Sequence, residues 1–209
     1  RAQPRSRGLG DVYKRQAKCS ARVPEPYFAD YDSETNDGIL LLEDMYPAKQ
    51  IPQMEGCSAG EVAMVLKEAA ALHKSYWNDE TLLTYPWLTY SISEERKKFA
   101  AELLPAVYPE WKNRYEGRIS KDIFEMGDTL LANYDKYADV REGPMTLVQG
   151  DLRLDNLLFT DENNRAILLD WQTAAVGLPL NDVAYCISTS FREPDERANN
   201  EKDLSLIHI

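Results

Sequence analysis

Two apolar segments flank a polar turn in the first part of the chain. The stretch PYFAD (26–30) is aromatic and of strand type, SETNDG (33–38) consists of turn residues, and ILLLED (39–44) is an apolar run. Strand-type segments joined by a short polar turn pair with each other. The pattern therefore predicts an antiparallel β-hairpin whose second strand is buried.

Helical periodicity begins after this hairpin. Ser58 and Glu61 have the spacing of a capping box, in which each residue satisfies a backbone N–H near the other. Apolar residues then recur at intervals of three and four, at Val62, Val65, Leu66, Ala69, Leu72 and Tyr76. This spacing predicts a helix that ends near Trp77.

Two further helices are predicted in the middle of the chain. Ser93 precedes Glu94 and Glu95, whose charges complement the dipole at the start of a helix. Ser120 is the expected cap of a third helix, with one apolar face made of Ile123, Met126, Leu130, Leu131 and Tyr134. Strands, then helices, then strands, without regular β–α alternation, indicate an α+β fold.

A second hairpin is predicted late in the chain. The apolar stretches NLLF (156–159) and AILL (166–169) flank a polar turn that we centre on Asn163. With that centre, Asn156 lies directly opposite Asp170, and opposed Cβ atoms are about 4.5–5.5 Å apart. An amide and a carboxylate are therefore expected to meet at the open end of this hairpin.

The polar residues at this open end have the chemistry of a metal site. Amide and carboxylate oxygens, here from Asn156 and Asp170, suit Mg²⁺, which keeps several waters and takes further oxygens from substrate phosphates. Asp151 lies in the loop that enters the hairpin, where a carboxylate can orient a hydroxyl and accept its proton. The sequence therefore predicts a loop directed at a metal-bound phosphate.

Composition narrows the classes of protein. The chain has 209 residues, of which 44% are apolar, so one sizeable core can form. It contains no apolar run of membrane-spanning length and no signal-peptide pattern, which favours a soluble, cytoplasmic protein. The three cysteines, Cys19, Cys57 and Cys186, are odd in number and widely spaced, which fits reduced, buried thiols better than a disulfide framework or a zinc site. A net charge of -11 argues against nucleic acid and against an anionic membrane as partners.

The two ends of the chain have an unusual relation. DVYKRQ (11–16) and LSLIHI (204–209) can be encoded by DNA strings that are reverse complements of each other, base for base. One adapter joined to both ends of a DNA fragment produces this relation, and SRGLG (6–10) continues it upstream. We therefore expect residues 1–16 and 204–209 to be non-native, adapter-derived segments.

The segment QGDLRLDNLLF…LLDWQTAAVGLPLNDVAY resembles a known superfamily. Its D-x-x-x-x-N, followed by a hairpin that ends in Asp, is similar to the catalytic loop of protein kinases. It is closer to the small-molecule branch, the aminoglycoside phosphotransferase-like and choline/ecdysteroid (CHK) kinase-like families. The resemblance covers 17–203 loosely and 147–185 closely. It implies a protein kinase-like α+β fold, with partial N-lobe strands and hinge over 17–47 and a partial, mainly helical C-lobe phosphotransferase domain over 48–203.

The resemblance also implies roles for individual residues. Asp151 corresponds to the catalytic base, while Asn156 and Asp170 correspond to ligands of Mg²⁺. Arg153 stands where protein kinases place a Lys that touches the γ-phosphate. The backbone at the end of LLLED is expected to hold the adenine of ATP, at Glu43, Asp44 and Met45. The implied activity is ATP-dependent phosphorylation of a small-molecule hydroxyl.

Two departures from the family pattern qualify this reading. Gln149 replaces the usual His, which braces the metal-binding segment, although Gln still donates a hydrogen bond. No Gly-rich loop and no clear phosphate-binding Lys precedes Pro24. We therefore expect this chain by itself to show little or no phosphotransfer.

Alternative interpretations remain open from the sequence alone. Gln149 is a hint of a catalytically inactive, nucleotide-binding scaffold. Clustered Asp and Asn also suit a metal-dependent phosphohydrolase. The absence of an A-P-E-like motif after Asp170 disfavours protein-kinase activity. Among single residues, His73 is interpreted as a packed helix histidine. The resemblance implies that Asp182 supports the catalytic loop, the residue is equally interpreted as a helix N-cap, and the two roles are compatible.

Overall fold

The computed structural model describes residues 19–32, 34–35, 37–91, 93–139 and 143–207. The predicted non-native segment 1–16 lies outside these residues, as do 208–209. The chain divides into two compact units, one of residues 1–89 and 144–209 and the other of residues 90–143. The predicted lobe boundary after residue 47 stays a prediction.

The described elements are α-helical and β-stranded, as expected for an α+β chain. The strands are β1 (Pro26–Tyr31), β2 (Gly38–Leu42), β3 (Thr89–Tyr90), β4 (Thr146–Val148), β5 (Leu157–Thr160), β6 (Arg165–Leu168) and β7 (Ala175–Gly177). The helices are α1 (Ala59–Ser75), α2 (Glu94–Tyr115), α3 (Lys121–Ala132), α4 (Tyr134–Asp139), α5 (Pro179–Ser190) and α6 (Pro194–Leu206). None of the described helices is long and apolar enough to cross a membrane.

The first hairpin forms as predicted, but its second strand is not buried. β1 and β2 pair antiparallel, from Pro26 opposite Leu42 to Tyr31 opposite Gly38. Leu42 packs against the core, whereas the side chains of Ile39, Leu40 and Leu41 are 60%, 41% and 56% exposed. The expectation of a buried β2 was wrong, because within the described part of the chain β1 and β2 form a sheet of two strands. An apolar run indicates that a strand forms, but it does not show that another element packs over that strand and buries it.

Helix α1 is the centre of the first unit. Its capping box is complete: the Ser58 N–H donates to Glu61 Oε2 at 2.8 Å, and the Glu61 N–H donates to Ser58 Oγ at 3.3 Å. The predicted apolar stripe is buried, with Val62, Val65, Leu66 and Ala69 each at 0% exposure. This stripe joins a single core with β4, β6 and α5. Burying each Val or Leu side chain of the stripe contributes about 1.5–3 kcal/mol.

Strands β4 and β7 set the position of the loop that follows β4. They pair antiparallel, from Thr146 opposite Gly177 to Val148 opposite Ala175. Gly150 then turns the chain with φ +85°, and a Cβ there would lie 2.6 Å from the Thr173 carbonyl oxygen. Only glycine combines that φ with such a close approach, so the loop lies directly against the residues that precede β7.

The second hairpin forms, with a register one residue away from the predicted one. β5 and β6 pair antiparallel from Leu157 opposite Leu168 to Thr160 opposite Arg165. The turn has an even number of residues, 161–164, so its centre lies between two residues and not on Asn163. The Leu169 N–H donates to the Asn156 carbonyl at 3.0 Å. Asn156 therefore faces Leu169 and not Asp170, and the predicted pairing was wrong by one position.

The second unit contains helices, two of which, α2 and α3, begin directly after the predicted caps. Ser93 caps α2 by accepting the Arg96 N–H at 3.3 Å, and Ser120 occupies the N-cap position of α3 without a side-chain capping bond. The Tyr108 hydroxyl donates to the Phe124 carbonyl at 2.9 Å and joins α2 to α3. The predicted apolar face of α3 is largely exposed, with Met126 at 65%.

The free thiols of the first unit differ in their expected reactivity. Cys57 and Cys186 are buried, and burial raises the pKa of each to about 12. At pH 8 very little of either thiol is then present as the thiolate, the reactive form. Cys19 is only partly buried, and burial raises its pKa as well.

We therefore expect Ellman's reagent at pH 8 to modify Cys19 first and the other two thiols only after denaturation. Cys19→Ser should remove the early phase of labelling in the folded protein. Rapid labelling of Cys57 or Cys186 without denaturant would contradict the packing described above.

Candidate functional site

A direct contact joins the predicted base and one predicted metal ligand. Asn156 is 9% exposed, and its Nδ2 donates to the Asp151 carbonyl and to Asp151 Oδ2, both at 2.9 Å. Asn156 closes a short 3₁₀ segment, Leu154–Asn156, whose Leu154 is fully buried. The five-residue spacing in the sequence thus folds the loop back on itself and fixes one oxygen of the Asp151 carboxylate.

Asp182 holds the loop from the side of α5. Its Oδ2 accepts the Gln149 N–H at 2.8 Å, and its Oδ1 accepts the Gly150 N–H at 2.9 Å. His73 Nε2 lies 3.1 Å from the same Oδ2, and both side chains are 1% exposed. The interpretation of Asp182 as a loop support is confirmed. The alternative that it caps a helix was wrong, since Leu178 is the N-cap of α5.

Gln149 connects the loop to the backbone of Asp170. It is fully buried, and its Nε2 donates to the carbonyls of Leu169 and Asp170 at 2.9 and 2.7 Å. Its Oε1 accepts the Asp151 N–H at 2.7 Å. Both ends of one neutral amide are therefore used, and they tie the segments that carry Asp151 and Asp170 to each other.

We expect Gln149→Leu to lower the free energy of unfolding by about 2 kcal/mol or more. Leucine has a similar volume but leaves the Asp151 N–H and the carbonyls of Leu169 and Asp170 without their partner, in part-buried surroundings. The loss of such a partner costs up to about 1–3 kcal/mol where the group stays out of reach of water. Urea denaturation measures the change. Gln149→His restores one donor and should recover part of the loss. Equal stability of the Leu variant and the wild type would show that water replaces these bonds.

Asp170 has an exposed side chain on an unusual backbone. Its φ is 51°, in the left-handed region that Asp and Asn tolerate better than other residues with a side chain. Its carboxylate accepts the Gln172 N–H at 3.4 Å and the Gln172 Nε2 at 3.1 Å. Convergence of this carboxylate with Asn156 on one cation stays a prediction.

The donors present fit a Mg²⁺ ion. Because the Asn156 Nδ2 is engaged by Asp151, the Asn156 amide oxygen is directed away from that residue. The Asp170 carboxylate is open to solvent and supplies a negative charge. Within the described residues no three His, Cys, Asp or Glu side chains cluster as a metal site. Two protein oxygens, completed by phosphate and water, match the way Mg²⁺ is bound next to nucleotides.

Arg153 lies beside this loop but is held by a neighbour. Its Nη2 is 2.7 Å from Asp155 Oδ2, and both side chains are 39% exposed. Asp155 in turn accepts the Gln53 N–H at 3.2 Å, while its carbonyl accepts Gln50 Nε2 at 2.6 Å. Arg153 can therefore make the predicted contact with a γ-phosphate only if it leaves Asp155 or binds Asp155 and the phosphate at the same time.

The predicted adenine residues line a cavity of about 250 Å³. Glu43, Asp44 and Met45 meet the turn of the second hairpin there, including Asn163 and Arg165. The Lys49 N–H donates to the Phe159 carbonyl at 2.8 Å and, in return, the Phe159 N–H donates to the Lys49 carbonyl at 2.8 Å, which fixes this segment on β5. The cavity thus lies at one end of the hairpin, and Asn156 lies at the other.

Not every backbone group proposed for adenine is available. The Glu43 N–H donates to the Glu25 carbonyl at 2.8 Å, and the Met45 carbonyl accepts the Ala48 N–H at 2.8 Å. The Glu43 carboxylate binds both terminal nitrogens of Arg22, at 2.7 and 2.9 Å, and this bonding lowers the pKa of Glu43. These bonds occupy the Glu43 N–H and the Met45 carbonyl, so the prediction that residues 43–45 bind adenine is confined to the other backbone groups of this segment.

Sequence reasoning missed two residues near the site. Glu68 on α1 is 5% exposed and binds Arg165 at 2.6 Å, so it anchors the second hairpin to the helix. Burial, and after it the nearby Asp151 carboxylate, raise the pKa of Tyr185 on α5. The pairing of Glu68 has no sequence signal, whereas Tyr185 could have been found, since it is three residues after Asp182 on one helix face.

Comparison with known proteins identifies the relatives of this arrangement. The family model described as "Phosphotransferase enzyme family" matches residues 2–203. Curated relatives match over shorter stretches: acyl-CoA dehydrogenase family member 11 of Gallus gallus is 34% identical over 84 residues, which are 39% of this chain and 10% of that protein. Family member 10 of Mus musculus is 48% identical over 75 residues, 33% of this chain and 7% of that protein. The matched segments are thus a tenth or less of these relatives.

Solved structures share the fold at low sequence identity. The aminoglycoside phosphotransferase APH(2'')-IIa with gentamicin has a TM-score of 0.58 at 18% identity, covering 97% of this chain and 68% of that chain. Choline kinase LicA from Streptococcus pneumoniae has a TM-score of 0.58 at 14% identity, and the match covers 98% of this chain and 62% of that chain. Amicoumacin kinase hAmiN, in complex with AMP-PNP and Ca²⁺, has a TM-score of 0.62 at 13% identity, and the match covers 99% of this chain and 62% of that chain. The predicted protein kinase-like fold is confirmed.

Proposed function

The chain belongs to the phosphotransferase enzyme family, and from that membership we propose an ATP- and Mg²⁺-dependent kinase of a small-molecule hydroxyl. The observation that carries the proposal is the bonded loop in which Asn156 fixes Asp151 while Gln149 ties Asp151 to the Asp170 backbone. The proposed base and the two proposed oxygen ligands would thereby lie on two segments that are bonded to each other. Such positioning is most of what phosphoryl transfer requires.

In the proposed reaction Asp151 binds the acceptor hydroxyl and takes its proton. The hydroxyl oxygen forms a bond to the γ-phosphorus as the bond between that phosphorus and the β–γ bridging oxygen breaks, and ADP leaves. Asn156 and Asp170 would hold Mg²⁺, which supplies neutralisation of the phosphate charge when bound. Asp151 keeps one oxygen on Asn156, so the carboxylate is oriented before the acceptor arrives.

The nucleotide is proposed to extend from the cavity at Asp44 to the open end of the hairpin at Asn156. This places the adenine against the segment 43–45 and the phosphates near Asp170. The strand β5 has four residues, which at about 3.4 Å each span a distance suited to an elongated nucleotide. Arg153, released from Asp155, would contribute its charge at the phosphate end.

The alternative of a catalytically inactive scaffold requires that Gln149 cannot brace the metal-binding segment as the usual His of the family does. The buried amide keeps two donor contacts and one acceptor contact in the loop, which supports activity over loss of function. The phosphohydrolase alternative calls for more protein ligands to metal than the loop offers. We therefore retain the kinase as the proposal.

The acceptor is best sought with a panel that follows the relatives. We suggest gentamicin, choline and a hydroxyacyl thioester, the last because two relatives are named acyl-CoA dehydrogenase family members. ADP formation from Mg·ATP is measured for the full-length product of the gene and, in parallel, for the 209-residue chain. At least one acceptor should raise ADP formation, and EDTA should abolish it. We expect the 209-residue chain to be nearly inactive, and no stimulation by any acceptor in either protein would count against the proposal.

A further inference from the structure

His73 on α1 forms hydrogen bonds with two other elements in the interior of the first unit. Its carbonyl accepts the hydroxyl of Thr146, the first residue of β4, at 2.8 Å. Its ring Nε2 lies 3.1 Å from Asp182 Oδ2 on α5. His73 and Asp182 are each 1% exposed, and Thr146 is 0% exposed. His73 is thus bonded both to the strand that leads into the loop of Asp151 and to the helix that supports this loop.

The Asp182 carboxylate accepts hydrogen bonds from both the helix α1 and the loop. A carboxylate only accepts, so His73 Nε2 is the donor of their shared bond. Oδ2 also accepts the Gln149 N–H at 2.8 Å, and Oδ1 accepts the Gly150 N–H at 2.9 Å. The imidazole is rigid and fully packed, so its bond at Oδ2 restricts rotation of the carboxylate. Each carboxylate oxygen is thereby kept in line with its own N–H group of the loop.

The bonds of Asp182 continue directly to the proposed base. The N–H groups of Gln149 and Gly150 bind Asp182, and the next N–H, that of Asp151, donates to Gln149 Oε1 at 2.7 Å. Glycine adopts positive and negative φ with similar ease, so Gly150 at φ +85° is fixed by these bonds more than by its own preference. A general base must stay within about 2.6–3.2 Å of the group whose proton it takes. A rotation at Gly150 would move the Asp151 carboxylate out of that range.

We propose that His73 is a positioning residue for phosphoryl transfer. Its Nε2–H orients the Asp182 carboxylate, and this carboxylate holds the loop so that Asp151 faces the acceptor hydroxyl. The inference rests on the proposed kinase function. Because His73 acts through Asp182 on the proposed base, its loss should lower kcat and change KM for ATP much less.

Two amide substitutions test whether the position of the donor matters. The amide nitrogen of Gln is as many bonds from Cα as Nε2 of His, so His73→Gln keeps a donor for Asp182. His73→Asn carries the same group on a side chain that is one bond too short. In the full-length product we expect His73→Asn to lower kcat about tenfold or more, the worth of one hydrogen bond to a charged group. His73→Gln should restore most of the lost kcat, and KM for ATP should stay near wild type in both.

Val65→Ala is the control for a loss of stability alone. It removes buried methyl groups from the same helix and should leave kcat near wild type. Wild-type kcat in His73→Asn, or the same loss in His73→Gln and His73→Asn, would overturn the inference and leave the kinase proposal intact.

Amide hydrogen exchange needs no turnover and uses the 209-residue chain. His73→Asn should speed exchange of the Gln149 and Gly150 N–H groups about tenfold, and His73→Gln should not. The Phe159 N–H, which donates to the Lys49 carbonyl, reports on opening elsewhere in the unit and should keep its rate. Unchanged exchange at Gln149 and Gly150, or an equal increase at Phe159, would show that His73 does not hold the loop. Either result stands whether or not the enzyme phosphorylates an acceptor.

Discussion

Asp151→Asn is expected to lower kcat of the full-length enzyme by about 10²–10⁴-fold, the usual contribution of a positioned general base. Asparagine keeps the size of the side chain and an oxygen that accepts the Asn156 Nδ2, so the loop should retain its shape. What is lost is the ability to take the acceptor proton. Because Asp151 is proposed to face the acceptor hydroxyl, the affinity for Mg·ATP should change little.

Steady-state kinetics and calorimetric titration with Mg·AMP-PNP measure these two quantities separately. Asp161→Asn is the control for loss of one negative charge, since Asp161 lies in the exposed turn after β5. A large loss of nucleotide affinity in Asp151→Asn, with turnover retained at saturating ATP, would reverse the assigned role.

Asp170→Asn is expected to damage Mg·ATP binding and turnover together. The substitution removes the only charge that the chain is proposed to place on the metal. The backbone should tolerate the change, since Asn adopts the left-handed conformation of Asp170, at φ 51°, as readily as Asp does. We expect a loss of at least tenfold in affinity for Mg·ATP and a larger loss in kcat.

Asn156→Ala provides the comparison for Asp170→Asn. It removes a proposed ligand that is neutral, so the loss of metal affinity should be smaller than for Asp170→Asn. It also releases Asp151 Oδ2, so kcat should fall for a second reason. Titration of Mg²⁺ at fixed ATP distinguishes the two variants. Wild-type dependence on Mg²⁺ in Asp170→Asn would remove Asp170 from the metal site.

The residues of the loop could be predicted because their signal is local. Asp151 and Asn156 are five positions apart, and a short turn brings them into contact at 2.9 Å. The capping box of Ser58 and Glu61 is local in the same sense, and it was predicted with its bonds. Patterns of this kind depend on the few residues that form them, and the rest of the fold does not alter them.

The wrong predictions concern two kinds of feature. One depends on whether a turn has an even or an odd number of residues, and the other depends on packing partners that are distant in the sequence. The turn 161–164 has four residues, so the register of β5 and β6 shifted by one and Asn156 met Leu169. The exposed second strand of the first hairpin shows that an apolar run needs a covering layer before it is buried. Local sequence carries no information about either feature.

The contacts made by Glu68 and Tyr185 were missed for a related reason. Glu68 pairs with Arg165, which is 97 positions away, and no local pattern links the two. Tyr185 comes near Asp151, whose charge is one cause of its raised pKa after burial, because Asp182 fixes α5 against the loop. A helix-face argument from Asp182 would have pointed toward Tyr185, but only after the role of Asp182 was known.

The most direct test of the account is the identity of the phosphorus product. ³¹P NMR follows Mg·ATP with the full-length enzyme and the best acceptor of the panel. The account predicts that each ADP formed is matched by one new phosphomonoester, and that Asp151→Asn slows both together. Release of inorganic phosphate in place of the ester would indicate a phosphohydrolase. Binding of Mg·ATP without consumption would indicate an inactive scaffold, and either result would contradict a kinase built on Asp151, Asn156 and Asp170.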